Sequence, residues 1–199
     1  MSVFICIPTL GRASLFTALL SIEAQTDKSN IHILVINDSN TDLQLESSVP
    51  LTLLKGANCG KAGLTRNIGL QYARNNNAEW ILMLDDDDTL HPRTIELLRT
   101  YSNVQCVLFR AAGITDHLPF MTPIPSANTN DIICGQAAIS FALHKSTNEE
   151  FGAEQGGEDY FLLKKIRKIM LSKYLVYGIR VSLPFKLLEV GNDLLLHQC

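Results

Sequence analysis

The sequence predicts an α/β domain in which helices cover both faces of a mostly parallel central sheet. Short apolar runs rich in leucine or β-branched residues alternate with segments whose apolar residues recur every three or four positions. Strands that alternate with crossover helices pair in parallel, and the helices then pack on the faces of the sheet. Apolar residues make up 46% of the 199 residues and charged residues 19%, which is typical of one globular domain with a substantial core.

Five short apolar runs predict buried strands, and three longer periodic segments predict helices. The predicted strands are VFICI (3–7), IHILVI (31–36), LTLL (51–54), WILML (80–84) and VQCVLF (104–109). The predicted helices are ASLFTALLSIEAQ (13–25), AGLTRNIGLQYARNN (62–76) and PRTIELLRTYS (92–102).

The alternation weakens beyond residue 112. Residues 112–136 hold three of the seven prolines and predict a loop over one end of the sheet. The run AAISFAL (137–143) predicts a strand, and residues 144–157 predict a second loop. The segment YFLLKKIRKIML (160–171) predicts a helix of about three turns.

Composition and charge argue against several classes of protein. A net charge of −3 gives no reason to expect nucleic acid as a partner. The five cysteines are scattered without a C-x-x-C pair, which favours a reducing compartment over a disulfide framework or a zinc site. No basic segment precedes the first apolar run, and no run reaches the roughly 18 apolar residues of a membrane span. We therefore expect a cytoplasmic protein.

Four consecutive aspartates, Asp85 to Asp88, directly follow the predicted strand 80–84. In open parallel sheets, ligands bind at the carboxyl ends of the strands. Two carboxylates about 4 Å apart repel each other by roughly 1 kcal/mol in water and about 4 kcal/mol near a protein surface. The adjacent sequence offers no set of fixed positive charges, so we expect a divalent cation to offset this repulsion. Oxygen ligands without nearby histidine or cysteine favour Mg²⁺ or Mn²⁺.

A second interpretation of the aspartate run needs no ligand. The run is then a solvated acidic turn that provides an N-cap for the helix predicted to begin at residue 92, since aspartate serves well at that position. In a combined interpretation, Asp88 or Thr89 is the cap while Asp85 to Asp87 serve the metal.

Five segments resemble the motifs of family 2 glycosyltransferases with the GT-A fold, in the order and at about the spacing of that family. They are ICIPTLGR, ILVINDSN, NCGKAGLTRNIGLQYA, ILMLDDDDTLHP and GGEDYFLLKKI. The resemblance covers roughly residues 3–168. It implies a GT-A, Rossmann-like single domain over residues 1–199, with a nucleotide-binding half (1–111) and an acceptor-side half (112–199).

The resemblance assigns roles in binding a nucleotide-diphosphate sugar, with UDP the most frequent nucleotide. Asp85 and Asp87 become the outer residues of the D-x-D motif and the ligands of Mn²⁺ or Mg²⁺, with Asp87 the direct ligand, while Asp86 faces the sugar or ribose. Asp38 accepts a hydrogen bond from the base. The other expected donor-binding residues are Pro8, Thr9, Arg12, Lys61 and Arg66. Arg66 suits a diphosphate because its planar guanidinium group can donate to two oxygen atoms at once. Arg66 is alternatively an ordinary exposed arginine of a helix. Lys61 also fits an ordinary solvated lysine.

The resemblance also implies an inverting mechanism in which Asp159 is the base for the acceptor hydroxyl and Glu158 orients the acceptor. An alternative is that this acidic pair only complements a helix dipole. His197 is a candidate third metal ligand, but a histidine near a chain end is more often packed or frayed.

The expected function is that of a metal-dependent, inverting glycosyltransferase of the hexosyltransferase type, active in polysaccharide biosynthesis. Its acceptor is a hydroxyl of a glycan or lipid-linked sugar. The basic, aromatic-rich region 160–188 suggests peripheral contact with the inner face of a membrane, although a solvated helix face followed by core strands also explains it. Two alternatives remain open: a catalytically inactive GT-A-like nucleotide-binding module, and a sugar nucleotidyltransferase. The latter chemistry needs a G-x-G-x-R loop, which CIPTLGRAS does not supply.

Overall fold

The computed structural model describes the amino-terminal half almost completely and the carboxyl-terminal half in part. The described residues are 1–58, 60–101, 104–115, 118–121, 141–153, 162, 165–166 and 169–178. Within these ranges the chain forms three helices with described bounds and a nine-stranded sheet, and Leu162 and Lys165 are also helical. The strands are β1 (Val3–Thr9), β2 (Ile31–Asn37), β3 (Leu51–Lys55), β4 (Trp80–Met83), β5 (Asp88–Thr89), β6 (Cys106–Thr115), β7 (Leu118–Met121), β8 (Phe141–His144) and β9 (Ile169–Gly178). The helices are α1 (Ser14–Glu23), α2 (Ala62–Asn75) and α3 (Thr94–Leu98).

The first four long strands form the parallel part of the sheet. The strand order is β3-β2-β1-β4-β8-β6-β9-β5, with β7 paired to β6. Strands β3, β2, β1 and β4 are all parallel, β8 is antiparallel to both of its neighbours, and β9 is parallel to β6. Because β1 lies between β2 and β4, the residues that follow these three strands meet at one edge of the sheet.

Alternating side chains of β1 supply two cores, one on each face of the sheet. Val3, Ile5 and Ile7 pack with α1 and α3 on one face. Phe4 and Cys6 pack with α2 on the other face, together with Phe151, Leu162 and Ile166. The expectation of helices on both faces of an α/β sheet is confirmed.

The carboxyl-terminal end of α1 is bonded to the segment that follows the aspartate run. The buried Gln25 donates to the carbonyl of His91 over 2.9 Å and accepts from the Ile95 amide over 3.1 Å. The hydroxyl of Ser21 accepts from the Leu90 amide over 3.0 Å. These bonds fix where the chain leaves the aspartate run.

Three sequence expectations for secondary structure are wrong. Residues 112–115 continue β6 and 118–121 form β7, so this part of the expected loop is strand. The expected helix 160–171 ends earlier, because β9 begins at Ile169. The third helix begins at Thr94 without a side-chain cap, and Asp88 and Thr89 form β5 instead of capping it.

The strand β9 also changes the interpretation of the basic region 160–188. Residues 169–178 pair with β6 on one side and β5 on the other, so this part is an inner strand of the sheet and not a helix face. The rest of that region lies almost wholly outside the described residues. No helix within the described ranges is both long and apolar enough to cross a bilayer.

The close packing of α2 on the sheet depends on Gly69. A Cβ atom at this position would lie 2.8 Å from Cδ1 of Ile36 and 3.0 Å from Sγ of Cys6, both of which are buried. We expect Gly69→Ala to lower the free energy of unfolding by about 1–3 kcal/mol, because the buried side chains of Ile36 and Cys6 must shift to make room for the methyl group. Urea denaturation measures this change. Asn75→Ala, at an exposed position of the same helix, is the control, and an equally stable Gly69→Ala protein would contradict the packing argument.

Candidate active site

The candidate site lies at the carboxyl edge of β1, β2 and β4. Strand β1 ends at Thr9, β2 ends at Asn37 just before Asp38, and β4 ends two residues before Asp85. The parallel register places these ends side by side, so the expectation that the aspartate run follows a buried strand at this edge is confirmed.

Asp85 is paired with Arg66 of helix α2. The guanidinium Nη2 donates to Oδ1 of Asp85 over 2.6 Å. The whole Arg66 residue is only 6% exposed, which excludes the alternative of an ordinary exposed helix arginine. Its guanidinium also lies 5.7 Å from the centre of the Phe151 ring, within the range of a cation–π contact.

Asp86 is the buried member of the run. Its Oδ2 accepts a 2.6 Å hydrogen bond from the hydroxyl of Thr9, and its Oδ1 lies 3.2 Å from Nη1 of Arg12. Burial raises the pKa of Asp86, and the Thr9 hydrogen bond and the Arg12 charge oppose that rise. The same Arg12 nitrogen donates to Oδ2 of Asp87 over 3.2 Å.

These pairs correct the charge argument made from the sequence. Arg12 and Arg66 supply two fixed positive charges beside the three carboxylates of Asp85, Asp86 and Asp87. The two guanidinium groups therefore offset part of the repulsion within the run. The solvated-turn interpretation is also wrong, because Asp86 and Asp88 are 4% and 6% exposed.

The donor set still fits a magnesium-type ion that binds together with a substrate. The side chains of Asp85 and Asp87 are each 31% exposed and offer oxygen atoms only. Across the described residues, no three His, Cys, Asp or Glu side chains are grouped so that they could enclose an ion. Mg²⁺ typically takes one or two carboxylates and fills its other positions with water and substrate phosphate. Asp85 and Asp87 match that pattern.

Asp38 lies beside the site and is held by the chain after β3. Its Oδ1 accepts a 2.6 Å hydrogen bond from the amide of Asn58. Gly56 allows this approach, because a Cβ there would lie 2.5 Å from that oxygen and 2.7 Å from the Asp38 Cα. An open pocket of about 440 Å³ lies close by and is lined by Asn37, residues 39–44, residues 53–55 and Asn58. The aspartates of the run do not line this pocket.

Asn67 and Phe151 belong to the site although no role was assigned to them from sequence. The Asn67 side-chain amide donates to the Phe151 carbonyl and accepts from the Phe151 amide, both over 2.9 Å. Asn67 stands in the R-N pair of the segment NCGKAGLTRNIG, which was the only sequence signal for it. Phe151 had no signal, because it lies 84 residues further along the chain.

The remaining expected site residues contribute less or lie outside the described residues. Pro8 is a half-buried residue of β1, and Lys61 is an exposed residue at the amino-terminal end of α2. Glu158, Asp159 and His197 lie outside the described residues, so their roles stay predictions.

Solved structures share this fold. A crystal structure of S. aureus TarS 1-349, and one of the same protein in complex with UDP-GlcNAc, superpose with a TM-score of 0.70 over 90% and 92% of this chain, at 19% and 17% identity. This chain covers 60% of each of those chains. The fold is therefore that of the GT-A glycosyltransferases.

The sequence also matches a family profile and curated relatives. The profile of Glycosyl transferase family 2 matches residues 4–106, and the chain belongs to that family. An uncharacterized glycosyltransferase of Haemophilus influenzae is 30% identical over 95 residues, which cover 46% of this chain and 31% of that protein. The poly(ribitol-phosphate) beta-N-acetylglucosaminyltransferase TarP of Staphylococcus aureus is 32% identical over 108 residues, which cover 50% of this chain and 32% of TarP.

These matches cover the expected donor-side residues but not the expected acceptor-side residues. The chain spans about a third of the length of the curated relatives it matches. The family match includes every expected donor-side residue from Pro8 to Asp87 and ends before Glu158 and Asp159.

Removal of the Thr9 hydroxyl tests the buried bond to Asp86. We expect Thr9→Val to lower the free energy of unfolding by about 1.5–3 kcal/mol, because a buried carboxylate loses a charge-assisted hydrogen bond and the Gly11 amide loses its 2.9 Å bond to the same hydroxyl. The matched control is Thr147→Val, which removes a 2.7 Å bond from a buried threonine to the neutral carbonyl of Gln105 and has an expected loss of about 1 kcal/mol. Chemical denaturation measures both, and equal losses would contradict the special role of the Asp86 bond.

Proposed function

We propose that this chain acts as a metal-dependent, inverting glycosyltransferase that transfers a sugar from a UDP-sugar to a hydroxyl of a glycan or lipid-linked acceptor. The observation that carries the proposal is the meeting of Asp85, Asp86 and Asp87 with Arg12 and Arg66 at the carboxyl edge of the parallel strands. That edge is where ligands bind in open α/β sheets. The UDP-GlcNAc complex of TarS, which has the same fold, supports a nucleotide-sugar donor.

On this proposal the donor lies across the ends of β1, β2 and β4. Asp38, with Pro8 and Thr9 nearby, accepts from the base. Asp86 faces the ribose or sugar, and its fixed orientation comes from Thr9 and Arg12. Arg66 and Arg12 donate to diphosphate oxygens, and Lys61 adds positive charge from the start of α2.

Asp85 and Asp87 would hold Mn²⁺ or Mg²⁺, which stabilises the negative charge that develops on the departing nucleoside diphosphate. Arg66 has a complementary task. Its guanidinium is fixed in a buried place, so it needs little reorganisation when the leaving group becomes charged. Before a ligand binds, the two arginines also offset part of the repulsion between the carboxylates.

On the acceptor side, Asp159 takes the proton of the attacking hydroxyl and Glu158 orients the acceptor. The support for these two roles is the resemblance of GGEDYFLLKKI to the acidic pair of the family. Attack from the face opposite the leaving nucleotide inverts the anomeric centre.

Donor binding is tested by thermal unfolding with UDP and Mn²⁺. We expect UDP plus Mn²⁺, at about 100 times the dissociation constant, to raise the melting temperature by about 5–10 °C, because a ligand that binds only the folded state stabilises it. UDP alone and Mn²⁺ alone are the controls and should give much smaller shifts. The absence of any shift with nucleoside diphosphates in the presence of metal would refute the proposal.

The catalytic base is tested by Asp159→Asn. We expect this variant to lose at least about a hundredfold in transfer of a radiolabelled sugar, because the amide cannot accept the proton of the acceptor hydroxyl. Its thermal shift with UDP and Mn²⁺ should stay as large as that of the original protein. The control is Glu46→Gln, an exposed acid remote from the site. Loss of both transfer and thermal shift would show that Asp159 serves the donor or the fold instead.

A further inference from the structure

We propose that Asn67 is a positioning residue that fixes Arg66 for the donor diphosphate by holding Phe151 beneath it. Neither Asn67 nor Phe151 needs to touch the donor. The inference rests on the proposed function, since it assumes that Arg66 binds the diphosphate.

The first link is the double hydrogen bond between Asn67 and the main chain of Phe151. The carboxamide gives its Nδ2 hydrogen to the Phe151 carbonyl and takes the Phe151 amide hydrogen on Oδ1, each over 2.9 Å. One planar group with a donor and an acceptor side by side is found only in Asn and Gln side chains. These two hydrogen bonds replace the two that a neighbouring strand would make to residue 151. They fix both the position and the orientation of its backbone.

The second link is the ring of Phe151. The residue is 4% exposed and packs against Phe141 of β8, with 6.1 Å between ring centres. Because its backbone is held by Asn67 and its ring by the core, the ring has little freedom to turn. The Arg66 guanidinium lies 5.7 Å from the centre of this ring and reaches Asp85 with its Nη2.

The position of Arg66 between these contacts explains why its support matters. A nearly buried guanidinium must keep its contacts or return to water, and a long side chain has many rotamers to choose from. Phe151 limits that choice from one side and Asp85 from the other. When the donor and cation compete for Asp85, the ring remains as a contact that keeps Arg66 directed towards the diphosphate.

A separate contact allows this idea to be tested without unfolding the segment. Arg74, two turns further along α2, donates to the carbonyls of Thr147 and Glu149 over 2.7 and 2.9 Å. These bonds hold the chain before Phe151 on the helix when Asn67 is changed. A substitution at Asn67 should therefore disturb residue 151 and Arg66 while the fold persists.

The experiment measures the dissociation constant of UDP in saturating Mn²⁺ by calorimetry. We expect Asn67→Asp, which cannot donate to the Phe151 carbonyl, and Asn67→Ala, which loses both bonds, to weaken UDP binding about tenfold. Phe151→Leu keeps an apolar side chain but removes the ring, and should weaken binding about fivefold. The control Asn76→Ala removes a side-chain bond to the Tyr72 carbonyl at the end of the same helix and should leave the constant unchanged.

A double-mutant cycle separates positioning from general loss of stability. In an Arg66→Ala background, Asn67→Ala should weaken UDP binding no further, because its effect passes through the missing guanidinium. Equal affinity of the Asn67 variants and the original protein, or additive losses in the cycle, would overturn the inference and leave the proposed function standing. Failure of the original protein to bind UDP in Mn²⁺ would overturn both.

Discussion

The pairing of Arg12 and Arg66 with three successive aspartates is the interaction on which the site depends. Asp86 is nearly buried and the other two carboxylates are partly shielded, so without the guanidinium groups their mutual repulsion would be large. Each arginine comes from a different element, Arg12 from the loop after β1 and Arg66 from α2. The charge pairs therefore connect the loop, the helix and the end of β4 into one unit.

The sheet makes this pairing geometrically possible. Strand β1 is hydrogen-bonded in parallel to β2 and β4, and these strands bring Thr9, Asp38 and the aspartate run to one edge. Helix α2 packs on the same strands closely enough to exclude a side chain at Gly69, which places Arg66 beside Asp85. The family match over residues 4–106 includes every residue of the described site except Phe151.

The amino-terminal strands could be predicted because β1, β2 and β4 are continuous apolar runs bounded by turn residues. The same rule failed for Ile169–Gly178, whose apolar residues also fit a helix, since a short apolar run does not distinguish the two structures. The residues of the aspartate run were found from their local pattern. Their compensation was missed because Arg66 lies 19 residues from Asp85 and Arg12 lies 75 residues from Asp87, and adjacency in sequence does not show such pairs. Phe151 could not be found by any local pattern, because only the folded chain brings it to Asn67.

The contact between Gly56 and Asp38 constrains how this protein can change over evolutionary time. The space that a methyl group would need at position 56 is already filled by the backbone and carboxylate of residue 38. Replacing the carboxylate alone would not make room, because the Cα of residue 38 lies in the same space, so a lineage that gains a side chain at 56 must rebuild the neighbouring turn as well.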